Sequence, residues 1–169
     1  SYNCGSPIYS SAVITQDNRL IICTFDGRII CFNLNTINYE TPSFDWLLPT
    51  GSQIKSSPAI DDMGFIYVAT MDGKLLKIND QGSSSEISWQ IDIQQIIEAS
   101  PVLDGSGNII IVSTEGLINK ISPEGDILWT SINENYQIIG TPAIDNNNNL
   151  FVALISTSTD STGSDTALR

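Results

Sequence analysis

The sequence predicts an all-β fold: a β-propeller arc of about four antiparallel four-stranded blades, the first and last of them incomplete. Three observations predict it. A repeat recurs at intervals of 46, 43 and 41 residues, each of the first three repeats carries an acidic residue followed by glycine at one fixed place, and a tryptophan closes each of those three. Four-stranded antiparallel units of roughly 40–45 residues are typical of propeller blades.

The repeat is visible as four segments that align without gaps through their first fifteen residues. They begin at Ser11-Ala12-Val13-Ile14, Ser57-Pro58-Ala59-Ile60, Ser100-Pro101-Val102-Leu103 and Thr141-Pro142-Ala143-Ile144. The 169 residues are therefore predicted to form one domain, with repeats at about 11–56, 57–99, 100–140 and 141–169 and with residues 1–10 as the tail of a preceding outer strand.

Each repeat holds a first strand, a polar turn, an apolar second strand, a hairpin and an apolar third strand. The hairpins of the first three repeats are predicted at Asp26-Gly27, Asp72-Gly73 and Glu115-Gly116. Asp-Gly between apolar runs is a strong hairpin signal, because glycine accepts the positive φ that a tight turn requires. Several strands are apolar at consecutive positions, which is expected of a small sheet covered on both faces.

The fourth strand of each of these repeats is marked by a tryptophan. Trp46, Trp89 and Trp129 follow a variable loop, and the next repeat starts 11 or 12 residues later. This regular placement predicts a role in packing between adjacent blades rather than a platform for stacking a sugar, because a buried indole contributes area and one hydrogen-bond donor.

The third repeat, SPVLDGSGNIIIVSTEGLINKISPEGDILW, resembles the PQQ-like blade of quinoprotein-type propellers. The resemblance rests on a small residue and proline opening the inner strand, an acidic-Gly hairpin, and a Gly-x-x-x-Trp ending matched by Gly125 and Trp129. It implies a blade-packing role for Gly125. Cofactor-binding members hold a quinone and calcium through carboxylate and amide ligands. This chain shows no identifiable set, so it resembles the cofactor-free members, such as the outer-membrane assembly lipoprotein, and no cofactor is predicted.

Both ends of the sequence are predicted to fall inside blades. The residue corresponding to the blade-closing tryptophan would stand just before Ser1, and Asp165–Arg169 resembles the start of a third strand after an inserted loop, Ser156 to Ser164. We therefore expect a fragment of a larger propeller, or an arc whose open blade edges pair with a second copy or with another protein.

Composition excludes several functions. The formal net charge is -12 with seven Lys and Arg in all, which argues against nucleic acid as a partner. Histidine is absent, which removes the commonest general base and metal ligand. Cys4, Cys23 and Cys31 lack the spacing of zinc ligands. Cys23 and Cys31 lie in apolar runs typical of buried thiols, and a single disulfide bond is the alternative. No apolar run approaches the roughly 20 residues that span a bilayer.

Two sets of residues remain as candidate binding sites. The turns at 104–108 (DGSGN) and 145–149 (DNNNN) have the oxygen ligands that calcium prefers. Their recurrence at one place in each repeat favours hairpin turns instead. Four tyrosines outside the apolar runs are the better candidates for a ligand surface: Tyr2, Tyr9, Tyr39 and Tyr136.

The sequence thus predicts a non-catalytic, extracytoplasmic scaffold that binds another protein or a polymer by the loops of one face or by an open blade edge. A fragment of a quinoprotein-like oxidoreductase is the first alternative, and a carbohydrate-binding propeller is the second.

Overall fold

Three four-stranded antiparallel sheets follow one another along the chain. The structure, a computed structural model, describes residues 2–157, and all regular secondary structure in that range consists of β-strands. The first sheet contains β1 (Val13–Ile14), β2 (Arg19–Cys23), β3 (Arg28–Asn33) and β4 (Trp46–Pro49). The second contains β5 (Ala59–Ile60), β6 (Ile66–Ala69), β7 (Lys74–Asp80) and β8 (Ser85–Asp92). The third contains β9 (Val102–Leu103), β10 (Ile109–Val112), β11 (Leu117–Ile121) and β12 (Ile127–Ile132).

The strands of each sheet pair in chain order, as in a meander. This arrangement confirms the predicted four-stranded repeat, and we call the three sheets blades 1 to 3. In blades 2 and 3 a bulge interrupts the pairing of the last two strands, after Lys77 and after Lys120.

The fourth repeat, blade 4, has a different local structure. Its first two strands, β14 (Ala143–Ile144) and β15 (Leu150–Phe151), form a two-stranded sheet. A second pair joins β13 (Tyr136–Gln137) to β16 (Ile155–Ser156), at the place where the linkers of the earlier repeats bond the hairpin after the second strand. The strand predicted at 165–169, and the inserted loop beyond Thr157, lie outside the described residues.

The hydrophobic core lies between the blades rather than within them. One cluster joins Ile21, Cys23 and Ile29 of blade 1 to Ile66 and Val68 of blade 2. Two similar clusters fill the spaces between blades 2 and 3 and between blade 3 and the fourth repeat. Because side chains alternate across a strand, consecutive apolar residues cover both faces of each sheet, which explains the uninterrupted apolar runs.

The three acidic-Gly hairpins join the second and third strands of their blades. Gly27, Gly73 and Gly116 have φ of +87°, +92° and +85°. A Cβ on Gly27 would lie 2.1 Å from the backbone oxygen of Ser52, and one on Gly116 would lie 2.4 Å from that of Asn133. Glycine is therefore required here both by its backbone angle and by the segment that leads to the next blade.

A second positive-φ position recurs in the turn between the first two strands of each repeat, at Asn18, Gly64, Gly107 and Asn148. Asparagine serves there because its side chain tolerates the left-handed conformation.

The three cysteines are free thiols, with Cys23 and Cys31 fully buried and Cys4 partly buried. No helix in residues 2–157 is long and apolar enough to cross a membrane.

Candidate functional site

The contact between blades 1 and 2 is built around a buried ion pair. Asp80, at the end of β7, accepts a hydrogen bond from Trp46 Nε1 at 2.9 Å and pairs with Arg19 of β2. Arg19 also lies 3.1 Å from Asp45 and donates to the carbonyl of Gly82. Because the Arg19 and Asp80 side chains are only 6% and 10% exposed, this pair pins the two blades together rather than presenting a free charge.

The contact between blades 2 and 3 uses the corresponding positions with different chemistry. Trp89 Nε1 donates to the carbonyl oxygen of Pro123 at 3.0 Å, and Lys77 Nζ donates to the same oxygen at 2.8 Å. The Lys77 ammonium also lies 4.0 Å from the centre of the Phe65 ring. A Cβ on Gly125 would lie 3.3 Å from the indole of Trp89, so this glycine lies flat against the ring.

Trp129 occupies the same repeat position on blade 3, and this residue is 41% exposed. The residue of the fourth repeat that corresponds to Asp80 and Pro123 is residue 164, which lies outside the described residues. Trp46 and Trp89 thus each lie against the following blade, whereas no contact of that kind is described for Trp129.

A series of hydroxyl groups links the starts of the four repeats. The amide of Ser11 donates to Ser57 Oγ at 2.8 Å, the amide of Ser57 to Ser100 Oγ at 2.8 Å, and the amide of Ser100 to Thr141 Oγ1 at 3.1 Å. The residue that opens each repeat therefore joins its inner strand to the next one. These described hydroxyls do not fit the carboxylate and amide ligand set that a quinone–calcium site requires.

The aspartates of the candidate calcium turns accept hydrogen bonds from their own turns. Asp104 accepts bonds from the amides of Ser106 and Asn108, and Asp145 accepts bonds in the same way from Asn147 and Asn149. Asp104 is also paired with Lys120, 2.7 Å away.

These bonds set the charge state of Asp104. Burial acts to raise the pKa of its carboxyl, but the bonds from Lys120, Asn108 and Ser106 outweigh burial and lower the pKa to about 2. Within the described range, no three His, Cys, Asp or Glu side chains are grouped to hold a metal ion.

An apolar depression lies on blade 1, on the face turned away from blade 2. We call it the first-blade groove. Its floor is formed by two cross-strand pairs, Leu20 with Phe32 and Ile22 with Ile30, and its volume is about 320 Å³. On blades 2 and 3 the corresponding positions are packed against the preceding blade. The groove is therefore a blade face that no other blade covers in residues 2–157.

The rim of the groove comes from two irregular segments. The N-terminal segment supplies Tyr2, whose ring makes an edge contact with Phe32 at 5.1 Å, and the loop between β3 and β4 supplies Ile37, Tyr39 and Pro42. All the lining residues are apolar, aromatic or thiol-bearing, and none of them is charged. Tyr39 is 72% exposed, so its ring is free to contact a ligand.

The N-terminal segment makes the same hydrogen bonds to its blade as the later linkers between blades make to theirs. Phe25 N–H donates to the carbonyl of Pro7 at 2.8 Å, as Met71 N–H donates to that of Gln53 at 2.8 Å. Ser10 Oγ donates to the carbonyl of Cys23, as Ser56 Oγ donates to that of Ala69. Residues 7 and 10 thus make the same contacts with blade 1 as the linker before blade 2 makes with that blade.

Of the four candidate tyrosines, the structure brings two together. Tyr2 and Tyr39 both line the first-blade groove, whereas Tyr9 packs edge-on against Phe25 and Tyr136 begins β13. The tyrosines are recognisable in the sequence but the groove floor is not, because Leu20 and Phe32 have the same apolar character as residues that are packed between blades.

The sequence matches no known family model and no curated protein sequence. Solved structures do match the fold. BamB from Moraxella catarrhalis is 21% identical, with a TM-score of 0.68 over 90% of this chain and 45% of its own. The WD40 β-propeller domain of Doa1 is 12% identical, with a TM-score of 0.71 over 88% of this chain and 48% of its own. Quinohemoprotein alcohol dehydrogenase from Comamonas testosteroni is 12% identical, with a TM-score of 0.69 over 88% and 29%.

The chain spans less than half the length of each of these three structures. The neighbours are consistent with the PQQ-like repeat predicted from the sequence, and at this level of identity they establish the fold alone. The chain is an arc of a β-propeller.

Proposed function

We propose that this chain is a non-catalytic propeller scaffold that binds another polypeptide through the first-blade groove. The observation that carries the proposal is the groove itself, an apolar depression of about 320 Å³ with two tyrosines on its rim. Uncharged patches rich in aromatic side chains are typical of the centres of protein–protein interfaces. An apolar surface of this kind favours a polypeptide over a polyanion or a sugar, which need polar contacts.

Three ionisable groups with shifted pKa values support a structural rather than a catalytic role for the region between blades. Burial raises the pKa of the Cys23 and Cys31 thiols to about 12, so neither is a nucleophile at neutral pH. Asp104 is held as a carboxylate by its own turn and by Lys120. Perturbed groups mark active sites where they meet in a cleft, but the two thiols lie within the apolar cluster between blades 1 and 2, and Asp104 is held by its own turn and by Lys120 in blade 3.

Two finer predictions remain part of the proposal. We infer an extracytoplasmic location from the low charged fraction, the abundance of Ser, Thr and Asn, and the resemblance to cofactor-free PQQ-like propellers. The oxidoreductase and carbohydrate-binding alternatives stay predictions.

The test is site-specific photocrosslinking. A benzoylphenylalanine replaces Tyr39, and the matched control replaces Met63, which is 83% exposed in the turn between β5 and β6 of blade 2. The labelled chain is irradiated alone and in extract of its source cells, and adducts are identified by mass spectrometry. We expect a polypeptide adduct from position 39 that is absent at position 63 and is abolished by Leu20→Asp. Adducts with glycans alone, or equal adducts at both positions, would overturn the proposal.

A further inference from the structure

Each blade has an incoming face, turned towards the preceding blade, and an outgoing face, turned towards the following blade. The residues that form these faces occupy the same positions in successive repeats. Tyr67 on the outgoing face of blade 2 belongs to the same buried cluster as Ile109, Ile111 and Ile121 on the incoming face of blade 3. In blade 1 the positions that correspond to these three isoleucines are Leu20, Ile22 and Phe32. They form three of the four floor residues of the first-blade groove.

The other end of the arc carries the counterpart of Tyr67. In the fourth repeat this position is Phe151 of β15, whose side chain is 49% exposed. Its neighbours Leu150 and Val152 pack against blade 3, so alternation along the strand directs Phe151 to the outgoing face. The described residues therefore present an exposed aromatic side chain on the outgoing face of the fourth repeat and, on the incoming face of blade 1, an apolar groove with the composition that receives such a side chain between blades 2 and 3.

The polar groups at the two ends are complementary as well. Each link in the series of hydroxyl groups joins an amide donor to the hydroxyl of the following repeat. Within residues 2–157 the Ser11 hydroxyl receives no such bond, and no hydrogen bond is described for the Thr141 amide. Both residues are exposed. One end thus offers the acceptor of a further link and the other end offers its donor.

We propose that two copies of this chain join head to tail, with Phe151 of one copy in the first-blade groove of the other and the Thr141 amide of the first donating to the Ser11 hydroxyl of the second. This inference rests on the proposed function, because it names a second copy as the polypeptide in the groove. A head-to-tail contact is heterologous and closes a ring when the rotation permits. The chain spans 45% of BamB and 48% of the Doa1 domain, so two copies supply about the length of one complete propeller.

The test measures the mass of the purified chain by light scattering at several micromolar concentrations. We expect twice the mass of a single chain. Phe151→Asp and Leu20→Asp should each weaken association at least tenfold, because each buries a carboxylate without a partner at every junction. The control, Met63→Asp, alters an exposed apolar residue on neither face and should leave the dimer intact.

A mixture of the two variants tests the head-to-tail geometry. Phe151→Asp keeps an intact groove and Leu20→Asp keeps an intact Phe151, so the mixture contains one wild-type junction. It should regain association that neither variant shows alone, which also demonstrates that both variants fold. A wild-type monomer at all concentrations, loss of the dimer in the Met63 control, or a mixture that remains monomeric would overturn the inference. If a different polypeptide still crosslinks at position 39, the proposed function stands while the second copy is excluded.

Discussion

The hairpin glycine of blade 1 provides a prediction whose size follows from the structure. Gly27 and Gly64 have the same φ of +87°, so replacing either by alanine imposes the same backbone strain. That strain costs about 1 kcal/mol for a residue with a Cβ. The two sites differ in their surroundings: nothing lies within 4 Å of a Cβ on Gly64, whereas one on Gly27 would lie 2.1 Å from the backbone oxygen of Ser52.

The overlap at Gly27 has to be relieved by moving the linker to blade 2. Thr50 binds the Gly27 carbonyl through both its amide, at 2.8 Å, and its hydroxyl, at 2.9 Å. Overpacking costs about 1–3 kcal/mol, and a lost hydrogen bond adds about 1 kcal/mol. Gly27→Ala should therefore reduce the free energy of unfolding by about 4 kcal/mol, and Gly64→Ala by about 1 kcal/mol.

Urea unfolding followed by tryptophan fluorescence measures both values. With a slope of about 2 kcal/mol per molar urea, the midpoint should fall by about 2 M for Gly27→Ala and by about 0.5 M for Gly64→Ala. Equal midpoint shifts for the two variants would refute the argument, because they would mean that the linker adapts without cost.

Three further predictions concern single side chains. Asp80→Ala leaves the buried Arg19 without its main partner and should lower the free energy of unfolding in urea by about 3 kcal/mol. The control, Asp26→Ala, breaks a half-exposed ion pair and should lower it by less than about 1 kcal/mol. Equal losses for the two variants would contradict the role of Asp80 between blades. The pKa of Asp104 is lowered to about 2 from 3.8, so its carboxylate contributes stability above pH 4 that is lost as the pH falls towards 2. Asp104→Asn should remove about 2 kcal/mol at pH 7 and flatten the acid limb of the stability profile measured by urea unfolding at several pH values. Cys4 should react with a thiol reagent in the native protein, and the two buried cysteines should react only after unfolding; three reactive thiols in the native protein would contradict the core described above.

Much of the fold follows from local sequence. The acidic-Gly pairs, the apolar runs and the tryptophans recur at fixed positions because each blade is the same short meander, and the strand ranges of blades 1 to 3 match those runs closely. The fourth repeat departs from prediction. Its second strand ends at Phe151 and is shorter than the second strands of blades 1 to 3, and the linker before it pairs with the segment after that strand as two regular strands, β13 and β16.

The candidate site was predicted only in part. The exposed positions of Tyr2 and Tyr39 are consistent with their polar surroundings in the sequence, but the groove between them is formed by Leu20, Ile22 and Phe32, which read as ordinary strand residues. A covered and an uncovered blade face have the same composition, so the sequence does not distinguish them.

The sequence by itself determined the all-β class, the length of the repeat and the places of its turns, because hairpins and strand alternation depend on residues close together in the chain. Only the tertiary structure decided that Asp80 binds both Trp46 and Arg19, that hydroxyls link the starts of the repeats, and that no blade within residues 2–157 covers the incoming face of blade 1. The first two features join residues 34 to 61 positions apart, and all three depend on how whole blades pack against one another.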